Sequence, residues 1–103
     1  MAYNLRKVIP VAGASQTITF DHDNVSENIV LVTNSGATTV TLPNSTSFAA
    51  RILVKRMSSG AVTVQGPAGV TIDGQASYSL SAQYKFVELL ADGTGNWAIV
   101  GAN

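Results

Sequence analysis

The chain has 103 residues, six basic and six acidic side chains, one histidine and no cysteine, and only 12% of it is charged, against about 25% in an ordinary soluble domain. That length provides one modest core. The balanced, sparse charge excludes a general nucleic-acid binder, which needs clustered Lys and Arg, and the missing thiols exclude disulfides and thiolate metal sites.

The first stretch, "MAYNLRKVIPVAGA" (1–14), places Arg6 and Lys7 before a short apolar run. The run Val8 to Val11 is too short for a secretory signal and Pro10 interrupts it. No other segment approaches the roughly 20 apolar residues of a membrane helix. The reading is a soluble, unprocessed chain with an N-terminal arm over 1–14, followed by one domain over 15–103. The arm's position and charge make it the expected anchor to a partner, through Arg6, Lys7 and Val8.

From residue 16 onward apolar and polar residues alternate with a period near two, which predicts half-buried strands. They fall at "QTITF" (16–20), "NIVLVT" (28–33), "TTVTL" (38–42), "RILVKRM" (51–57), "AVTVQ" (61–65), "GVTI" (69–72), "ASYSL" (76–80), "YKFVELL" (84–90) and "WAIVG" (97–101). The segment 45–57 also fits a helix capped by Ser45 or Thr46. Between the strands, "NSG" (34–36), "SSG" (58–60), "DG" (73–74) and "DGTGN" (92–96) supply residues that tolerate positive φ in tight turns.

Chemistry-bearing residues are few. His22 sits in "FDHDN" between Asp21 and Asp23, a pattern open to half a metal site or to a polar turn in which Asp and Asn bond their own backbone. Asp73 and Asp92 each precede a glycine and read as turn residues. Glu88 alternates with Val87 and Leu89, which puts it on the outward face of its strand. Arg51, Lys55 and Arg56 read as charges on a solvated strand edge that keep it from mispairing. No set of groups fits a triad, a carboxylate pair, a phosphate loop or a metal cluster, so the sequence predicts neither an enzyme nor a cofactor. Trp97, Tyr78 and Tyr84 lie near loops and suit either stacking on a sugar ring or packing in a core or subunit contact.

A shift of 24 residues superposes "IVLVTNSGATTVTLP" (29–43) on "LVKRMSSGAVTVQGP" (53–67), matching Val30 with Val54, Ser35-Gly36-Ala37 with Ser59-Gly60-Ala61, Thr39-Val40 with Thr63-Val64 and Pro43 with Pro67. Each copy reads as strand, glycine turn, strand, proline stop. "VELLADGTGNWAIV" (87–100) repeats the logic with a longer loop. The expected architecture is all-β, a small antiparallel β-sandwich or β-roll of stacked hairpins. Ala, Gly, Ser, Thr and Val make up more than half of the chain, so its exterior is poorly ionic. A surface of that kind is expected to be occupied by other protein.

The succession "TVTLP", "ILVKRMSSGAVTVQGPAGVTIDGQASYSL" and "YKFVELLADGTGNWAIVG" resembles a β-rich module of tailed-bacteriophage virion proteins: tail fibres, tailspikes, head fibres and capsid decoration proteins. The likeness runs from about Val30 to Gly101 and is sharpest at Thr71-Ile72-Asp73-Gly74 and at "DGTGNW" (92–97). It implies an all-β homotrimer in a virion, made in the bacterial host cytoplasm. Fibres normally append the module to a long repetitive shaft, whereas this chain starts at Met1 and ends two residues past it. That departure makes a capsid decoration (cement) protein or head fibre, bound to the major capsid protein or another virion protein, the first expectation. A tail fibre or tailspike domain binding host glycan is the alternative. Neither nucleic acid nor membrane is an expected partner.

Overall fold

The structure is a computed structural model, and it describes residues 6–18, 27–43 and 51–103. His22, Asp21 and Asp23 lie outside the described residues, as does most of the proposed helix cap region at 44–50. The chain is all-β. Its strands are β1 (Arg6–Val11), β2 (Ser15–Thr17), β3 (Glu27–Val32), β4 (Thr38–Thr41), β5 (Arg51–Arg56), β6 (Val62–Gln65), β7 (Ser77–Leu80), β8 (Phe86–Ala91) and β9 (Trp97–Ala102). Residues 51–56, open to a helix reading, are strand β5. "GVTI" forms no ladder strand; only Ile72 makes isolated bridges, to Gln75 and to Trp97.

The strands form two mixed sheets. Sheet A has the order β1-β3-β5-β8-β9 and sheet B the order β2-β4-β6-β7. The expected antiparallel pairing within each 24-residue copy is corrected here, because β3 and β4 lie in different sheets, as do β5 and β6. The two copies instead stack in parallel: Val30 pairs with Val54, Thr39 with Thr63 and Val40 with Val64. Each "strand, glycine turn, strand" unit is therefore an arch crossing from one sheet to the other. Such an arch cannot pair its own two strands, so it satisfies their backbone groups through the next unit along the stack.

A further unit precedes the two visible in the sequence. β1 runs parallel to β3 over its full length, with Ile9 opposite Val30 and Val11 opposite Val32, and β2 runs parallel to β4. Residues 6–11 of the expected arm are thus sheet, and Val11 is 3% exposed. Pro10 had argued against a strand, but edge strands accept proline when its nitrogen faces outward. The Val11 carbonyl faces β3, accepting the Thr33 N–H at 2.8 Å. Successive residues of a strand turn their backbone groups to opposite sides, so Pro10 faces the free edge.

At the other end of the stack the pairing becomes antiparallel, β7 on β6 and the β8–β9 hairpin on β5. The expected hairpin over 87–100 is present, with a register shift between Glu88 and Leu89. Inner side chains of the two sheets meet in one buried cluster that includes Val30, Val32, Val54 and Leu89 from sheet A and Val40, Val64 and Leu80 from sheet B. Full burial of each such side chain stabilises by roughly 1.5–3 kcal/mol. Asn28 interrupts this inner row. It is buried, and its Nδ2 has no hydrogen-bond partner among the described residues.

Candidate interaction surface

Three contacts hold the arches together and fix what remains outside. Gly60 lies so close to the Gly36 backbone in the arch beneath it that a Cβ there would overlap the Gly36 carbonyl. Asn34 staples its arch to the first one: its Nδ2 donates to the Gly13 carbonyl at 3.2 Å and to Thr38 Oγ1 at 2.9 Å, while its Oδ1 accepts the Gly36 N–H. Arg56 donates to the carbonyls of Leu80 at 2.9 Å and Ser59 at 2.6 Å. The basic cluster is accordingly no strand edge, since β5 is the central strand of sheet A. Arg56 is committed to carbonyls, and Arg51 faces Glu88 at 3.6 Å. That pair is part-exposed and contributes on the order of 0–1 kcal/mol.

The loops expected to mark function serve as turns. Ile72 and Gln75 exchange backbone hydrogen bonds at 2.7 and 2.8 Å around Asp73 (φ 48) and Gly74 (φ 80), the positive-φ pair that a tight Asp-Gly hairpin turn requires. Asp73 also accepts the Ile99 N–H at 3.1 Å, tying this turn to β9. Asp92 closes the other loop: its Oδ1 accepts from Thr94 Oγ1 at 2.6 Å, from the Thr94 N–H at 2.8 Å and from the Asn96 N–H at 3.3 Å. The Thr94 hydroxyl, followed by the Thr94 N–H, holds the Asp92 carboxyl below the usual carboxylate range.

The aromatic trio separates. Trp97 is 1% exposed and its Nε1 donates to the Pro43 carbonyl at 2.9 Å, so its ring belongs to the core and presents no platform to a sugar. Tyr78 is partly buried against the same core. Tyr84 stands out at 57% exposed with φ 70, a conformation uncommon for an aromatic residue. No group of three or more His, Cys, Asp or Glu able to hold a metal occurs among the described residues.

The outer faces of the two sheets differ sharply. Sheet B presents Ser15, Thr39, Thr63 and Ser79 in one cross-strand row and Thr17, Thr41, Gln65 and Ser77 in the next. Sheet A presents apolar residues. Its alternating burial sends Ile29 and Leu31, Leu53, and Phe86 and Leu90 outward. Register then aligns Val8, Ile29, Leu53 and Glu88 in one row and Pro10, Leu31, Lys55 and Phe86 in another. None of these side chains is buried, and Val8 is 55% exposed. Of the expected anchor residues, Val8 belongs to this face and Lys7 is exposed beside it in β1. Strand alternation alone carried the signal for the face: in "ENIVLV" and "RILVKR" both parities are apolar, as in strands covered on both sides.

Comparison of the sequence with protein-family models and with curated proteins finds no match.

Proposed function

We propose that the chain is a non-enzymatic structural component of a bacteriophage virion, a capsid decoration (cement) protein or head fibre that works as a homotrimer on the capsid. The observation that carries this reading is the uncovered apolar outer face of sheet A, on a chain with few charges to keep it apart from other protein. The resemblance of Val30 to Gly101 to the phage β-rich module supplies the virion context. The mechanism is geometric. Stacked arches make a stiff body, the apolar face joins protein to protein, and many modest contacts repeated over a shell add through avidity.

A tail-fibre domain that binds host glycan is the second reading, favoured only by exposed Tyr84, since Trp97 is occupied in the core. The deciding experiment mixes the purified chain with expanded capsids of the phage whose genome encodes it. Co-sedimentation and a higher bursting threshold are expected. Capsids that neither retain the chain nor gain resistance contradict the proposal.

A further inference from the structure

We infer that the outer face of sheet A is the contact between copies of this chain, and that the hydroxyl face of sheet B stays turned to water. The inference deepens the reading of the chain as an assembly component and rests on it for the expectation that copies meet at all.

Other routes of self-association are closed by the fold. The free edge of β1 carries Pro10, which offers no N–H to a new strand, and Val8 is the only residue between Arg6 and Pro10 whose backbone N–H faces that edge. The free edge in sheet B is the three-residue β2, and Gln16 Nε2 donates to the Thr17 carbonyl there at 3.3 Å. Part of the β9 edge is taken by residues 71–73: the Trp97 N–H donates to the Thr71 carbonyl and the Asp73 N–H to the Trp97 carbonyl, both at 2.9 Å. The outer face of sheet B is lined by hydroxyls, which water satisfies as well as protein does.

Charge selects a second copy as the occupant. Among the apolar residues of sheet A stand two acids, Glu27 and Glu88, and two bases, Arg51 and Lys55. An electroneutral face of this kind attracts neither a strongly acidic nor a strongly basic partner, and it meets its own copy without net repulsion. The charges of β5 lie at either end of the face, with Leu53 between them, the arrangement of an apolar centre and a polar rim. Five six-residue strands span about 24 Å by 20 Å in plan, or roughly 480 Å². That is smaller than the ~800 Å² per partner of a standard stable interface, so the association is expected to depend on concentration.

The test uses the full chain and three variants. Leu53→Lys puts a cation beside Glu88, its register partner, and Ile29→Lys repeats the change on β3. Thr63→Lys places the same charge on the sheet B face. Far-UV circular dichroism and thermal unfolding establish that each variant folds. Light-scattering mass over a concentration series is then read beside capsid co-sedimentation. Both sheet A variants are expected to weaken self-association at least tenfold, while Thr63→Lys leaves it unchanged. A folded Leu53→Lys and Ile29→Lys that associate like the parent overturn the inference, as does a parent that binds capsids while remaining a monomer. In that second outcome the virion reading survives and the face belongs to another virion protein. An oligomer that needs the sheet A face but ignores capsids supports the inference and removes the virion reading.

Discussion

At the scale of single residues, the fold depends on places where a side chain is absent. Gly60 is buried against the Gly36 backbone, with the Asn34 carbonyl also within reach of any added Cβ. Gly36 has only the Asn34 side chain nearby, at 3.8 Å. Both glycines stand at the same place in their arches, so the sequence gives them equal weight, yet their energetics differ. Gly60→Ala must push two backbones apart and is expected to destabilise by about 1–3 kcal/mol, whereas Gly36→Ala is expected to change stability by less than about 0.5 kcal/mol. Chemical denaturation of the two variants side by side checks this. Equal losses would mean that the arches do not stack as described. Trp97 illustrates the opposite limit of legibility. Its neighbourhood in "DGTGNW" marks a turn, but only the fold reveals that its indole reaches Pro43, far away in sequence.

At the scale of elements, the β8–β9 hairpin gathers its loop around one carboxylate. Because the folded pKa of Asp92 is depressed, its bonds contribute stability above the ordinary carboxylate pKa and lose it as pH falls through the lower folded value. Thr94→Val keeps the shape and removes the first of the causes. The Asp92 carboxyl is then expected to titrate closer to the usual carboxylate range, which an NMR pH titration of that carboxyl measures; an unchanged midpoint would contradict the hydroxyl's role. Strand positions and turns such as Asp73-Gly74 were legible because alternation and positive-φ residues act locally. Pairing was not. A glycine turn looks the same in sequence whether it joins two strands of one sheet or arches between two sheets. Only the in-register match of Val30 with Val54 and of Thr39 with Thr63 carried the parallel stacking, and the repeat was readable as hairpins as well. β1 was missed because Pro10 speaks against a strand until it is known to lie on an edge.

At the scale of the whole molecule, two sheets close over one core and leave one polar and one apolar outer face. The division follows from composition. Thr and Ser fill the outward positions of sheet B, while Ile, Leu and Phe fill those of sheet A. Sparse charge predicted an occupied exterior; it could not say which part, because that depends on which strands share a sheet. The anchoring role expected for Arg6, Lys7 and Val8 changes in kind, since β1 belongs to the body of the fold and Val8 to its apolar face. The account stands on that face being covered by another copy. Sedimentation equilibrium of the unaltered chain from micromolar to millimolar concentration tests it most directly. The predicted result is a mass that climbs from the 10.7 kDa of one chain to a fixed multiple of it. A mass that stays at 10.7 kDa across the whole range would contradict the account.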